Sequence, residues 1–184
     1  MKGKKRAAPT VAQHAALTGL LTAQAIVLSF LENLLPLLPF LPPGAKLGLS
    51  NLVVLYAAMD LSLPSALCIA VMKAFFVLVT RGGAAFAMSL CGGLLSALAM
   101  GLLLRMSQNR LGLVGVCVGG AVCHNLGQLL AACVLSASNL LFYLPALLLF
   151  GVLAGILTGV VIRLLLPALR KQLAVVVRHW EPSQ

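Results

Sequence analysis

Residues 64–105 read PSALCIAVMKAFFVLVTRGGAAFAMSLCGGLLSALAMGLLLR. Two apolar runs, 64–80 and 84–104, flank the short break Arg81-Gly82-Gly83, and a second arginine, Arg105, closes the pair. A membrane helix needs roughly 20 apolar residues to cross the hydrocarbon. Both runs come close to that length, the first being the shorter, so the stretch is consistent with two membrane crossings. Four further segments follow the same design: 12–35 and 46–59 before it, 112–136 and 140–166 after it. The composition agrees, with 61% hydrophobic residues, 9% charged residues and a mean hydropathy of +1.09, far from the balance of a soluble domain.

The expected fold is therefore all-α: an integral membrane bundle of six transmembrane helices, with both termini on one side. The charges orient it. Lys2, Lys4, Lys5, Arg6, Arg105, Arg110, Arg163, Arg170, Lys171 and Arg178 share the side of the termini, whereas Lys46 and Arg81 flank the other. Cytoplasmic loops carry the excess of Lys and Arg, which makes both termini cytoplasmic. The same distribution argues against nucleic-acid binding. The net charge of +10 is split among termini and short loops, not gathered on one face. Three regions follow: a basic N-terminus (1–11), the membrane domain (12–166) and a basic tail (167–184) lying on the inner leaflet. The segment Ala12–Leu35 is too long for the apolar core of a secretory signal and holds Thr18, Thr22, Gln24 and Ser29, so it is read as an uncleaved first helix.

Two places depart from regular helix. The second and third segments are short. They form either two crossings or one interrupted hairpin around Asp60-Leu61-Ser62-Leu63-Pro64, where an acidic residue and a proline break the run. Pro36–Gly44 (PLLPFLPPG) holds four prolines in nine residues yet is strongly apolar. That combination predicts a loop folded against the bundle as a lid, since irregular backbone at membrane depth must be covered by protein.

The chemistry available is narrow. Asp and Glu total three, Glu32, Asp60 and Glu181. Paired-carboxylate catalysis and a carboxylate-held metal are thereby disfavoured, and no aspartate-rich diphosphate motif, phosphate-binding loop, zinc-protease motif or serine-nucleophile elbow occurs. The five cysteines lie singly inside apolar runs and read as buried hydrophobes. What remains is polar groups at membrane depth. Lys73 sits about nine residues into its helix, where an isolated charge costs at least ~2.5 kcal/mol and pairs or lines a cavity. His124, Asn125 and Gln128 cluster on the fifth helix, with His124 and Gln128 about 40° apart around its axis. Glu32 and Asn33 end the first helix, and Lys46, Ser50 and Asn51 begin the second, all toward the outer side. The bland alternative is that Lys73 and Glu32 neutralise each other while the trio bolts helices together. Convergence at one side and depth favours a binding site for a small molecule. Lys73 would meet an anionic group, His124, Asn125, Gln128 and Asn51 would orient the ligand, and Glu32 and Lys46 would hold the lid.

Small residues recur every four positions on several helices: Ala15, Gly19, Ala23; Ser89, Gly93, Ala97, Gly101; Gly115, Gly119, Cys123; and Gly151, Gly155, Gly159. Such stripes let helix backbones approach closely. They predict intramolecular packing, with one stripe left over for a partner.

ENLLPLLPFLPPGAKLGLSN (32–51), Lys73, Ser89-Leu90-Cys91-Gly92-Gly93 and His124-Asn125-Leu126-Gly127-Gln128, in this order and spacing, resemble a family labelled both heptaprenyl diphosphate synthase component I and Gx transporter. The likeness covers roughly residues 12–166. That family in turn resembles the six-helix S components of energy-coupling-factor vitamin transporters. The resemblance implies a bacterial plasma-membrane protein that pairs with a transmembrane coupling protein and cytosolic ATPases through its first helix. Ala15, Gly19 and Ala23 become the docking face, although Leu20 interrupts the alanine register begun by Ala12 and Ala16. The synthase label implies instead a membrane accessory to a prenyl synthase catalytic subunit. Neither requires a cofactor or a metal in this chain, and neither makes it the chain-elongating enzyme.

Overall fold

The computed structural model describes residues 10–34, 48–106, 112–138 and 140–179. Its elements are α1 (Val11–Leu34), α2 (Leu49–Asp60), α3 (Leu63–Arg81), α4 (Gly83–Met106), α5 (Leu113–Ser136), a single 3-10 turn (Leu141–Tyr143) and α6 (Leu144–His179). No strand occurs among the described residues. Five of the helical stretches are long and apolar enough to cross a membrane. Large apolar side chains such as Val79, Phe142 and Leu164 point outward, as a lipid-facing surface requires.

α2 is the exception. Its 12 residues rise only about 18 Å, well short of the roughly 30 Å hydrocarbon layer. It lies in the middle of the bundle and touches all five other helices. Six consecutive residues, Leu52–Ala57, are buried, so no face of α2 is left for lipid. Its Leu55 joins Ile69, Met100, Val116 and Ile162 of the other helices in the core.

The break after α2 has a local cause. Ser62 adopts an extended conformation, its hydroxyl accepts the Ser65 N–H at 3.3 Å, and Pro64 occupies the first turn of α3, where its missing N–H costs nothing. α2 and α3 thus form a helical hairpin. The hairpin is tied to α1 by His14, whose Nε2 lies 2.7 Å from Ser65 Oγ, and by the Thr18 hydroxyl, which donates to the same oxygen.

The small-residue stripes on α4, α5 and α6 are spent inside the chain. A Cβ on Gly155 would fall 2.5 Å from Val118 Cα, one on Gly159 2.7 Å from Val114 Cα, and one on Gly127 2.8 Å from the Cys91 carbonyl. These positions must be glycine, because backbone faces backbone there. Against α3 the fit is looser: a Cβ on Gly101 would meet the Leu63 side chain at 2.6 Å, and one on Gly93 would only touch the Ala70 Cβ at 3.5 Å. α6 runs past the expected limit at 166, through Pro167, to His179. Near its far end the Arg170 guanidinium reaches Asp60 at the close of α2, with Nη2 3.1 Å from Oδ1 and Nε donating to both carboxylate oxygens at 3.2 Å.

Candidate functional site

The first turn of α2 organises the buried polar groups. Gly48 precedes it with φ 78, a left-handed conformation that suits glycine, and turns the chain into the helix. From the end of α1, the Glu32 carboxylate accepts the Leu49 N–H through Oε1 at 2.7 Å, a negative group set on the positive end of a helix. Lys73 of α3 reaches the same turn from the other side. Its ammonium donates to Ser50 Oγ at 3.1 Å and to Asn51 Oδ1 at 3.2 Å. Lys73 and Glu32 are each 2% exposed. Glu32 Oε2 is buried with no hydrogen-bond partner among the described residues, so one lone-pair set of this carboxylate is still available. Beyond Asn51 lies a void of about 10 Å³, the size of one water, closed by Met100, Cys117, Ala121 and Thr158.

The fifth-helix trio divides. His124 and Gln128 lie over Gly92 of α4, where an added Cβ would meet Gln128 Cγ at 2.8 Å and His124 Cε1 at 3.2 Å. Asn125 faces the opposite neighbour. Its amide donates to the Leu147 carbonyl at 2.8 Å and so binds α5 to α6. Gln128 lines a cavity of about 220 Å³ walled by Met88 of α4, Leu129 and Ala132 of α5, and Tyr143 and Leu147.

The structure thus brings Glu32, Asn51 and Lys73 together with Ser50, and places Gln128 in a separate cavity. Lys46 and the proline-rich stretch expected as a lid lie outside the described residues, as does the Asn33 side chain. Ala15, Gly19 and Ala23 are exposed, and a Cβ on Gly19 would meet nothing within 4 Å. Sequence reasoning missed Tyr143 and Met88, the cluster of His14 with Ser62 and Ser65, and the Asp60–Arg170 pair. The pair had a signal: Asp60 and Arg170 stand at ends that the charge pattern already puts on one side. The cavity residues had none, being ordinary apolar helix positions.

Comparison with known protein families matches heptaprenyl diphosphate synthase component I over residues 21–165 of 184. The chain belongs to that family. The matched region begins within α1 and ends within α6, so it takes in the Lys73 cluster, His124 and Gln128, and the glycine-packed wall. Neither curated proteins nor solved structures gave a match. The long apolar helices and the family together fit a membrane-associated component.

Proposed function

We propose that this family member is the substrate-binding membrane subunit of a transporter, S-component-like, in a bacterial plasma membrane. The observation that carries the reading is the buried Lys73 ammonium held on the first turn of α2. A charge at this depth is expensive, so it pairs or lines a cavity, and Ser50 and Asn51 both accept from it on the first turn of α2. Glu32 already caps the N-terminus of α2, so the Lys73 ammonium is the group that would meet an anionic group on a ligand. The substrate is small and partly apolar, a vitamin-like or isoprenoid-related anion. Asn51 and His124 orient it, and Glu32, with Lys46, secures the segment between α1 and α2.

α2 belongs to the second of six crossings, which leaves both termini in the cytoplasm beside Arg105 and Arg170. Energy for transport comes from partners, a transmembrane coupling protein with cytosolic ATPases. The exposed stripe Ala15, Gly19, Ala23 is their docking face. Its exposure while the other stripes are filled supports that assignment.

The family description favours a second reading, a non-catalytic membrane accessory that presents an isoprenoid or quinone precursor to a prenyl synthase subunit. One experiment separates the two. Protein purified in mild detergent from its host is searched for bound small molecules by mass spectrometry, beside Lys73→Met. A discrete anionic compound present in wild type and absent from the variant is the expected result. Identical bulk lipids in both, with a prenyl synthase subunit retained by both, would replace the transporter reading with the accessory one.

A further inference from the structure

The cavity of about 220 Å³ between α4, α5 and the start of α6 stands apart from the Lys73 cluster. Among the described residues, no charged side chain lines it. Gln128, 7% exposed, borders it, and its amide forms no hydrogen bond with any other group among the described residues. The amide atoms are not fully buried, so a ligand in the cavity can reach them. Gln128 Cγ lies over Gly92, where an added Cβ would meet it at 2.8 Å, and the side chain borders the cavity from there. The half-exposed Tyr143 brings a phenol to the same space, and Met88 supplies a polarisable, adaptable side.

We propose that this cavity is a binding site for an uncharged, single-ring molecule bearing a carbonyl or hydroxyl oxygen. An apolar cavity of about 150 Å³ takes benzene, so this one accommodates a ring with small substituents. The Gln128 amide offers both a donor and an acceptor to the ring's oxygen, and Met88, Leu129 and Leu147 cover its faces. A charged ligand finds no counter-charge among these residues. The site is therefore distinct in chemistry from the anion site proposed around Lys73 and does not depend on it.

The test is a titration by 19F NMR of the full-length protein in lipid nanodiscs, with empty nanodiscs as the baseline. 4-Fluorophenol is the probe, and fluorobenzene is the control that lacks the oxygen. Saturable 4-fluorophenol binding above the baseline is expected. Gln128→Leu should weaken it about tenfold while leaving fluorobenzene unchanged, since only the polar contact is removed. Ala132→Phe should abolish binding of both by filling the space. If that variant fails to fold, Gln128→Leu decides alone. Signals equal to those of empty nanodiscs, or equal affinity in wild type and Gln128→Leu, would overturn the proposal. So would loss of 4-fluorophenol binding in a folded Lys73→Met protein, because the two sites would then be one.

Discussion

The two halves of this bundle are held together by different physics. α4, α5 and α6 meet through glycines, backbone against backbone, at Gly127, Gly155 and Gly159. α1, α2 and α3 meet through polar groups: Glu32 on the Leu49 N–H, Lys73 on Ser50 and Asn51, His14 and Thr18 on Ser65. In lipid no hydrophobic drive pulls helices together, so contact and interhelical hydrogen bonds must do it. Glycine crossings have one geometry and lose everything when displaced. Hydrogen bonds to a lysine or a carboxylate can exchange partners. The α4–α6 wall is accordingly the fixed part, and the α1–α3 side is where a ligand's polar groups can substitute for the protein's own.

The fixed half is most vulnerable at Gly155. An alanine there puts a Cβ 2.5 Å from Val118 Cα and 2.9 Å from Val118 N, neither of which can rotate away. Gly155→Ala should destabilise the bundle by about 1–3 kcal/mol, the usual range for overpacking, as read from unfolding in a denaturing detergent. An unchanged midpoint would show that α5 and α6 are not locked and would remove the distinction between the halves.

The polar half predicts a smaller and more local effect. Glu32→Gln keeps an oxygen on the Leu49 N–H but removes its charge. Hydrogen bonds to charged groups contribute about 1.5–3 kcal/mol against about 0.5–1.5 for neutral ones, so a loss of about 1 kcal/mol is expected. It should appear as faster amide exchange at the first turn of α2, with α5 and α6 unaffected. Equal slowing or quickening throughout the chain would mean that the halves unfold as one unit.

Much of this division is legible in the order of the amino acids. α3, α4 and α5 begin and end within two residues of the expected 64–80, 84–104 and 112–136, because apolar length and the flanking Arg and Gly determine a membrane helix almost alone. Depth groups Lys73 with His124, Asn125 and Gln128 and sets Ser50 and Asn51 above them, so the bonds from Lys73 to Ser50 and Asn51 are not legible in it. Other features are hidden for physical reasons. Pro167 reads as a helix stop, yet the cost of a single lost backbone bond is outweighed and α6 continues to His179. The angle between Asn125 and Gln128 on their own helix is legible, but not which neighbour each faces. Asn125 bonds a main-chain carbonyl of α6, and any residue at position 147 supplies one. The central burial of α2 is equally hidden, because a helix apolar on all sides reads the same whether lipid or protein surrounds it.

The smallest expected effect on stability tests what the fixed half leaves free. Gly19 belongs to a stripe like those on α5 and α6, but a Cβ there meets nothing within 4 Å, and Ala15 and Ala23 beside it are exposed. Gly19→Leu should therefore change unfolding of the isolated protein by no more than about 0.5 kcal/mol, as for a surface position. If the stripe serves a partner helix, the same leucine must hold that helix off, because close approach is the only advantage a glycine offers there. Co-purification of a transmembrane partner from the host membrane should then fall sharply while the purified subunit stays folded and retains its Lys73-dependent ligand. Retention of the partner by Gly19→Leu would exclude this face as the dock. A loss of stability in the isolated subunit would show instead that the stripe packs within the chain, as its counterparts on α4, α5 and α6 do.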